Sequence, residues 1–521
     1  MEKKTASSET AIDMNKFRLR TFIEKLIQLD EVEIHDNPVP LSELSDIMEA
    51  TPKAVLFRKA GPDQVELVGN VAASRSRLAA AFGVSEEDLA GELQSRLDAP
   101  QPVIEVASAD APVHQVIHKG EDADLTRLPF HPQHRFDGGT YISSGIDYTV
   151  DPETGITNVG CRRLSLKNKR QARTNVTAPS DLKGIYQKCA ARGEKLPVNF
   201  AVGSHPLDYL AAGKHIPPDE VKLVGTLRGE PVPLVKAVTN DIRVPADVEL
   251  VIEGYLDEKG YREQEGPYGE FMGYYGPMHI NPIYHVTAIT MRRDVLHQTV
   301  LHGSGKVLHR AESVNLMAIT LEAGVRRILK SISVEPVAVR VMLSSGEGQC
   351  VRVAIRQTFP GQARNAIAAL FGAIPILKHI FVVDEDIDVY SDEQFEWAFG
   401  TRFQADRDIV IHTGMRGFHM DPSLEGRLTG AKAGFDLTFP VGIKGSFLTR
   451  VAEAPRIHGT AQYQTVHQAL ESGPMCFVEL MEATGSQDGR EIALELDDLL
   501  ERGLLVRLED GEYALAENDK I

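Results

Sequence analysis

The stretch EGYLDEKGYREQEGPYGEFMGYYG, residues 253–276, sets two carboxylates close together among glycine, proline and tyrosine. Glu265 and Glu270 flank the tetrapeptide GPYG at 266–269. On an uninterrupted strand, side chains at this spacing would point to opposite faces. The proline and the two glycines permit a turn or bulge that re-aims one of them, so both could line one pocket. Two neighbouring carboxylates do not both ionise easily, and the protonated one can serve as a general acid. The alternative is a hairpin loop with two solvated glutamates.

Around this stretch the sequence pattern is mostly β. From residue 113 to about 301, short β-branched runs broken by Gly, Pro and Asp indicate a barrel or sandwich with intervening helices. Residues up to about 110 indicate a small α/β unit, and AESVNLMAITLEAGVRRIL at 311–329 predicts a linking helix. Alternating strands and helices beyond it indicate another α/β domain. The tail predicts two helices and a hairpin about Asp510-Gly511, an order that resembles an acidic winged helix.

The predicted fold class is therefore a multidomain α+β or α/β protein. The expected domains are an N-terminal α/β domain at 1–112, a central β-barrel domain at 113–308, a linking helix at 309–332, a C-terminal α/β domain at 333–465 and a winged-helix-like acidic tail at 466–521.

Composition excludes several classes of protein. With 521 residues and a net charge of -18, the chain repels phosphate backbones, which argues against general nucleic-acid binding. The four cysteines are far apart and show no zinc-type spacing. No apolar run is long enough to span a bilayer, and the polar start MEKKTASSET lacks the core of a signal peptide. We expect a cytoplasmic protein with no membrane or nucleic-acid partner.

Two glycine motifs fail as nucleotide sites. Gly303-Ser304-Gly305-Lys306 is followed by Val307 where a phosphate loop needs Ser or Thr, and no GxGxxG marks a Rossmann site. The strand ITNVGCRR at 156–163 can offer an amide oxygen to a hard cation and an arginine to a carboxylate, or it is a surface strand with exposed arginines. The acidic pair Asp219-Glu220 is by default a helix start.

Together these pieces resemble the UbiD family of decarboxylases, which use prenylated flavin mononucleotide (prenylated FMN). The residues that carry the resemblance are Thr157-Asn158, Arg163, Pro218-Asp219-Glu220, Gly225, Asn240-Asp241, the run from Glu249 to Gly254, EGPYGE at 265–270 and GAKAGFD at 430–436. The likeness spans residues 19 to 440, and EGPYGE after the NxxxxR strand is its strongest element.

The resemblance implies roles for individual residues. Arg163, Glu265 and Glu270 fall on the family's catalytic Arg-Glu-Glu network, and Asn158 and Glu220 fall on divalent-metal ligands that tie the cofactor phosphate to the protein. The third ligand in the family is commonly a histidine, and Asp181 occupies the run that looks equivalent here. An Asn, Asp and Glu set would favour magnesium or manganese.

The resemblance also implies a cofactor site with a potassium ion near the divalent metal. Lys432 falls on a lysine that contacts the phosphate. The expected cofactor-binding residues are Asn158, Gly160, Cys161, Arg162, Arg163, Ser180, Asp181, Ala211, Ala212, Glu220 and Lys432.

The expected activity is the reversible, non-oxidative decarboxylation of an aromatic or α,β-unsaturated acid through a covalent adduct with prenylated FMN. A small pocket-facing Thr299 would leave room for a bulky polycyclic or heteroaromatic acid. A flavin prenyltransferase would supply the cofactor, and a homodimer or a hexamer is the expected assembly. The alternatives are an FMN-dependent oxidoreductase and a non-catalytic UbiD-like binding or assembly subunit.

Overall fold

The computed structural model describes residues 12–214, 219–302, 305–346, 348–443, 449, 451–458, 460–509 and 511–516. Four features of the sequence lie outside these ranges, namely the first eleven residues, Pro218, Gly303-Ser304 and Asp510. The chain divides into two compact units. The first comprises Met1–Gln357 and Gly361–Thr438, and the second comprises Thr358–Pro360 and Phe439–Ile521.

The N-terminal part of the first unit is an α/β layer whose elements are α1 Leu19–Gln28, β1 Val32–His35, α2 Leu44–Ala50, β2 Ala54–Ala60, β3 Val65–Gly69, α3 Arg75–Phe82 and α4 Leu89–Leu97. Helix α1 buries Leu19, Phe22, Ile23 and Leu26, the spacing of one helical face. Arg18 directly precedes this helix and is extended, and its guanidinium binds the buried carboxylate of Glu249 at 2.9 Å.

A closed six-stranded barrel forms the centre of the unit. The elements between residues 103 and 298 are β4 Val103–Glu105, β5 Val116–Lys119, β6 Tyr141–Val150, β7 Thr157–Asn168, β8 Gln171–Arg173, α5 Asp181–Ala191, β9 Leu196–Val202, α6 Pro206–Ala212, α7 Glu220–Arg228, β10 Val232–Lys236, β11 Arg243–Pro245, β12 Leu250–Leu256, β13 Glu263–Glu265, β14 Tyr268–Gly269, β15 Tyr275–Gly276, β16 His279–Asn281, β17 Ile283–Met291 and β18 His297–Gln298. The barrel order is β12-β9-β6-β7-β8-β17, and the pairing of β12 with β17 closes it.

Two small ribbons carry the stretch with which the sequence analysis began. Strand β13 pairs with β16, and β14 pairs with β15, both antiparallel. The short strand β18 instead joins the N-terminal sheet in the order β1-β2-β3-β18. A separate three-stranded sheet has the order β11-β10-β4. The barrel chain thus returns to the N-terminal layer directly after β17.

A long helix, α8 Glu312–Ser331, leads from the barrel to the second α/β layer. That layer consists of β19 Pro336–Val341, β20 Cys350–Ile355, α9 Gln362–Ala373, β21 His379–Asp384, α10 Asp392–Arg402, β22 Ile409–Arg416 and β23 Thr429–Leu437. Its sheet order is β19-β20-β21-β23-β22, and the central pairs β20–β21 and β21–β23 are parallel. The predicted linking helix and second α/β layer are therefore both present.

The second unit has its own small core, which includes Val466, Leu480, Leu496 and Leu505. Its elements are α11 Val466–Leu470, α12 Phe477–Thr484, α13 Arg490–Glu501, β24 Leu505–Arg507 and β25 Tyr513–Leu515. The antiparallel pair β24–β25 forms the predicted hairpin after the two predicted helices. In the part of the chain that the structure describes, no helix combines the length and the apolar character that crossing a bilayer requires.

Candidate active site

The guanidinium of Arg163 bridges the two carboxylates that the sequence analysis singled out. Arg163 lies on β7, Glu265 ends β13, and Glu270 directly follows β14. Nε and Nη2 of Arg163 donate to the two oxygens of Glu265 at 2.8 and 3.1 Å, and Nη1 donates to Glu270 at 2.7 Å. The guanidinium therefore binds Glu265 bidentately and Glu270 through a single hydrogen bond. The planar array of N–H donors in arginine suits this arrangement.

The local backbone brings both glutamates to the guanidinium of Arg163. Gly266 has a φ of +92°, a conformation that residues with a side chain rarely adopt. The amide of Gly269 donates to Asp137 at 2.9 Å, and the amide of Glu270 donates to the carbonyl of Tyr274 at 3.0 Å. Both carboxylates therefore contact one guanidinium, but only Glu270 lines the cavity, and the prediction that both could line one pocket is not met by Glu265.

Burial and neighbouring charges shift the pKa values of Glu270 and Arg163. Burial raises the pKa of Glu270, and the neighbouring charge of Arg163 opposes this only in part. Burial alone would lower the pKa of Arg163, but Glu265 and Glu270 outweigh it and raise that pKa. Arg163 thus stays charged, while Glu270 is the carboxyl with the raised affinity for a proton.

The ring of Tyr268 stabilises the orientation of the guanidinium. The guanidinium carbon of Arg163 lies 4.2 Å from the ring centroid, and the Tyr268 hydroxyl donates to Gln133 Oε1 at 2.5 Å. Gln133 in turn donates from Nε2 to Ser143 and, at 3.2 Å, to Thr299. A buried polar network therefore fixes the aromatic face on which Arg163 stacks.

Thr299 is part of that network, and the prediction that it faces the pocket is wrong. Its hydroxyl is 2.8 Å from Nε2 of His131, and the residue is 2 % exposed. The neighbouring Val300 and His302 line the cavity instead. Side chains of an extended segment alternate faces, and Thr299 has the face that packs against the N-terminal sheet, where its methyl approaches Gly69.

A cavity of about 680 Å³ opens beside the cluster. Cys161, Arg162, Arg163 and Glu270 lie in its wall, whereas Glu265 is 2 % exposed and contacts Arg163 from behind. Most of its other lining residues come from the loop at 175–179, the helix α6, the segment at 271–279, the start of α8 and the segment at 418–426, and Ser143, Val300 and His302 complete the lining. Three of the four predicted cofactor-binding residues at 160–163 therefore line one large space.

Asn158 and Glu220 are brought together, as predicted for two ligands of one cation. Nδ2 of Asn158 donates to Glu220 Oε2 at 2.8 Å, and the amide of Val159 donates to the same oxygen at 2.7 Å. Asn158 Oδ1 is buried without a hydrogen-bond partner. An orphaned amide oxygen beside a carboxylate is an oxygen donor set of the kind that hard divalent cations prefer, so this pair fits the predicted metal.

The remaining predicted cofactor residues surround the same region. Ser180 caps helix α5, and Asp181 is the exposed first residue of that helix, directly after the cavity-lining Pro179. Ala211 and Ala212 are buried in α6 between the cavity-lining Leu210 and Gly213. The role of Asp181 as the third metal ligand stays a prediction.

Lys432 does not line the large cavity. It lies on β23 beside a second, much smaller pocket, where its ammonium donates to the carbonyl of Pro375 at 2.7 Å. The structure therefore does not bring Lys432 together with Asn158 and Glu220. The position follows from the sheet order, because β23 lies in the C-terminal α/β layer between β21 and β22, outside the barrel.

Several residues of the site were missed by the sequence analysis. Gln133 and Asp137 belong to the run HPQHRFDGG at 131–139, whose density of polar residues and glycines was a usable signal. Glu312 lines the cavity at the first position of α8, and its two oxygens accept the amides of Val71 and Ala72, each at 3.0 Å. A helix-start glutamate gives no sequence signal for such a position.

Three family models, each described as a domain of 3-octaprenyl-4-hydroxybenzoate carboxy-lyase, match successive parts of the chain. The UbiD N-terminal domain matches residues 23–97, the Rift-related UbiD domain matches 104–305, and the UbiD C-terminal domain matches 314–437. Together these matches cover most of the first structural unit. The tail after residue 437 lies beyond all three matched ranges.

Several relatives matched over most of their length are named as decarboxylases. The chain is 31 % identical over 424 residues to anhydromevalonate phosphate decarboxylase of Methanosarcina mazei, covering 80 % of this chain and 95 % of the relative. Among solved structures, the UbiD-class enzyme HmfF from Pelotomaculum thermopropionicum in complex with FMN is 30 % identical, with a TM-score of 0.77 over 84 % of this chain and 97 % of that one. An evolved dimeric form of that enzyme in complex with prenylated FMN is 28 % identical, with a TM-score of 0.74 and the same coverage.

A third similar structure is that of 3,4-dihydroxybenzoic acid decarboxylase from Klebsiella pneumoniae. It is 26 % identical, with a TM-score of 0.76 over 85 % of this chain and 98 % of that one. The relative from Methanosarcina mazei and the enzyme from Klebsiella pneumoniae thus differ in the acid for which they are named, and both are named as decarboxylases.

Proposed function

Because the chain belongs to the UbiD family and is a decarboxylase of that family, we propose that it removes carbon dioxide from an aromatic or α,β-unsaturated carboxylic acid with prenylated FMN bound in the large cavity. The observation that carries this proposal is the bridge from Arg163 to Glu265 and Glu270 in the wall of that cavity.

The proposed cofactor site combines the cation pair and the cavity-lining arginine. Asn158 and Glu220 would hold a divalent cation, Mn²⁺ or Mg²⁺, against the cofactor phosphate, and Arg162 would add positive charge. Asp181 is the proposed third ligand, and a potassium ion nearby belongs to the same proposal. When bound, prenylated FMN would supply an electron sink for the electron pair of the breaking carbon–carboxylate bond.

Arg163 orients the substrate carboxylate. Its Nη1 is held by Glu270 alone, while Nε and Nη2 are occupied by Glu265. Burial raises the pKa of Glu270, so this carboxyl takes up a proton more readily than an exposed glutamate does. A neutral carboxyl is a weaker partner for a guanidinium than a carboxylate. Protonation of Glu270 therefore frees Nη1 to receive the carboxylate of the substrate.

Glu270 then supplies the proton. Loss of carbon dioxide leaves an electron pair on the carbon that carried the carboxylate, and the carboxylic acid of Glu270 protonates that carbon and becomes a carboxylate again. Arg163 stabilises this carboxylate through the bond at 2.7 Å. The net reaction converts a carboxylate and one proton into carbon dioxide and a C–H bond, and Glu270 is reprotonated from solvent through the cavity. General acid catalysis of this kind contributes about 10²- to 10⁴-fold.

The proposal also covers the partners. A flavin prenyltransferase would supply the cofactor, and the chain would form a homodimer or a hexamer. Association with a second copy of the chain is supported by the C-terminal layer, where Ile411 on the edge strand β22 is 60 % exposed. The dimeric form described for the similar enzyme from Pelotomaculum thermopropionicum supports the same assembly.

The test is to co-express the chain with a flavin prenyltransferase and to assay a panel of aromatic and α,β-unsaturated acids. We expect release of carbon dioxide from at least one acid and incorporation of solvent deuterium into its product. The mass of the extracted flavin distinguishes the prenylated cofactor from ordinary FMN. A fully loaded protein that releases no carbon dioxide from any acid, and exchanges no deuterium into the products, would contradict the proposal.

A further inference from the structure

A buried carboxylate lies behind one of the two arginines in the cavity wall. Asp147 is on β6 and has no solvent-exposed surface. Its Oδ1 lies 3.1 Å from Nε of Arg162 on β7, and Arg162 is the only cation paired with Asp147 among the residues that the structure describes. The proposed reaction assigns no role to Asp147. A buried carboxylate is costly without a partner, so Asp147 depends on Arg162.

Two glycines make room for this ion pair. The register of β6 and β7 places Asp147 opposite Gly160. A Cβ atom at position 160 would lie 3.0 Å from Asp147 Oδ1, which is tighter than ordinary van der Waals contact. The same register places Gly145 opposite Arg162, where a Cβ atom would lie 2.5 Å from the carbonyl oxygen of the arginine. Side chains at these two positions would displace the carboxylate or the strand.

The nitrogens of the Arg162 guanidinium have different surroundings. Nε faces Asp147, and Nη1 donates to the carbonyl of Asn175 at 3.2 Å. No residue in the described ranges accepts a hydrogen bond from Nη2. Arg162 lines the cavity, and its side chain is 13 % exposed. The guanidinium is thus held from two sides and keeps donor capacity for a group in the cavity.

Arg162 shares a strand face with the proposed cation ligand Asn158. Side chains two residues apart on a strand point to the same side, so Asn158, Gly160 and Arg162 alternate along one face of β7. This face therefore carries an amide oxygen suited to a cation at one end and a guanidinium at the other. A bound cation and a guanidinium are both groups that bind phosphate.

The charge of Asp147 by itself works against an anionic ligand. Burial raises the pKa of Asp147 to about 6, and Arg162 opposes this rise, so the carboxylate is mostly ionised above pH 7. An ionised carboxylate repels a nearby phosphate. If charge alone decided, removal of this carboxylate would tighten phosphate binding. If the orientation of Arg162 decides, removal would weaken it, so the two effects have opposite signs.

The orientation of Arg162 should outweigh the repulsion. An arginine side chain that is free before binding loses conformational entropy when it is ordered by a ligand, and a side chain that is already held avoids this cost. The guanidinium also offsets the charge of Asp147, because Nε lies 3.1 Å from the carboxylate. The ligand therefore meets an ordered donor rather than a bare carboxylate.

We propose that Asp147 is a positioning residue, which holds the guanidinium of Arg162 so that Nη2 is presented to the phosphate of a flavin mononucleotide in the large cavity. The inference rests on the proposed function, which places prenylated FMN in that cavity. Asp147 does not touch the ligand and acts only through Arg162. Its contribution therefore depends on the phosphate and on the presence of the arginine.

Two flavins that differ by the phosphate group test the first dependence. FMN and riboflavin are titrated into the full-length protein at saturating Mn²⁺ and about pH 7.5, and binding is followed by the change in flavin fluorescence. We expect Asp147→Asn to bind FMN about 10-fold more weakly and riboflavin within about threefold of the wild type, because the lost interaction is a charge-assisted bond to phosphate. Retained riboflavin binding also shows that the variant is folded.

A double variant tests the dependence on the arginine. Arg162→Gln should weaken FMN binding by about 10- to 100-fold, with riboflavin again little changed. Because Asp147 acts through Arg162, adding Asp147→Asn to Arg162→Gln should not weaken FMN binding further. The matched control is Glu263→Gln, which removes a barrel carboxylate that is paired with Arg173 at 3.0 Å and does not line the cavity. It should bind both flavins as the wild type does.

The outcomes separate this role from the alternatives. Unchanged or tighter FMN binding by Asp147→Asn would overturn the proposal, because charge rather than orientation would then decide. Equal losses for FMN and riboflavin, a further loss in the double variant, or a wild type that binds FMN no more tightly than riboflavin would each overturn it as well. The expected binding pattern without carbon dioxide release from any acid, in protein loaded with prenylated FMN, would support the role of Asp147 and contradict the proposed function.

Discussion

Replacing Glu270 by glutamine removes the transferable proton and little else. Glu270 accepts one bond, from Arg163 Nη1 at 2.7 Å, and the amide oxygen of glutamine can accept the same bond. The substitution also removes a carboxyl whose pKa is raised by burial, so its effect on folding stability should stay within about 1 kcal/mol. The variant should therefore fold and retain its flavin.

The expected loss of rate follows from the position of the side chain. A general acid contributes about 10²- to 10⁴-fold, equivalent to about 2.7 to 5.4 kcal/mol of activation free energy. Glu270 is 12 % exposed and faces the cavity, so water can replace part of its function. We therefore expect kcat to fall by about 10²- to 10³-fold, the lower half of that range.

The assay compares proteins of equal flavin content, measured by absorption, and follows carbon dioxide release and deuterium incorporation. Glu263→Gln is the matched control, because Glu263 lies nearby in the chain, on β13, but is ion-paired with Lys167 at 2.6 Å and with Arg173 at 3.0 Å. The control should keep its turnover within about twofold. An undiminished kcat in Glu270→Gln at equal flavin content would refute the assignment of Glu270 as the acid.

Three further predictions concern the neighbours of that acid. Activity should fall as the pH rises through the raised pKa of Glu270. Because the charge of Glu265 helps to raise the pKa of Glu270, Glu265→Gln should shift the falling limb of the pH–kcat profile to lower pH, and a shift to higher pH would contradict this role of Glu265. Tyr268→Leu removes the ring whose centroid lies 4.2 Å from the guanidinium carbon of Arg163, and we expect kcat to fall by about 10-fold with KM little changed. The control variant Tyr268→Phe keeps the ring and should keep most of the rate. Equal losses of kcat in both variants would count against stacking of Arg163 on the ring. Glu220→Gln weakens the proposed cation site, so titration of the metal-stripped protein should show an affinity for Mn²⁺ at least about 10-fold lower, and an unchanged affinity would remove Glu220 from the ligands.

The sequence contains enough local information to predict the centre of the site. EGPYGE combines two acids with residues that bend a strand, and in the structure both glutamates contact one arginine. The NxxxxR spacing alone leaves a surface strand possible, and the family resemblance assigns Asn158 to a predicted cation site and Arg163 to the acids; in the structure Arg163 contacts both acids. Short β-branched runs likewise indicate the barrel, and the tail hairpin follows from its turn residues.

The face of a very short strand is harder to predict. Strand β18 has only two residues, His297–Gln298, so alternation cannot be phased over enough positions to decide where Thr299 points. The neighbouring Val300 has the cavity face instead. The error concerned one residue of offset, which inverts the direction of a side chain on an extended segment.

The local sequence pattern does not show where elements distant in the chain pack against one another. The spacing of apolar residues on α8 predicts an amphipathic helix. It does not show that Leu316 and Met317 line a cavity rather than face solvent. Lys432 matches a family position by sequence, yet the sheet order places it in the C-terminal layer. Both facts depend on how distant elements pack, which one sequence does not determine.

The central claim is that Arg163, held by Glu265, and Glu270 act as one catalytic unit. A double-mutant cycle in kcat/KM with Arg163→Lys, Glu270→Gln and the double variant, at equal flavin content, tests it most directly. Because Nη1 of Arg163 and Glu270 share a bond at 2.7 Å, the double variant should be no more than about threefold worse than the more damaging single variant. Losses that multiply across the two positions would show that the residues act independently, and the account would be wrong.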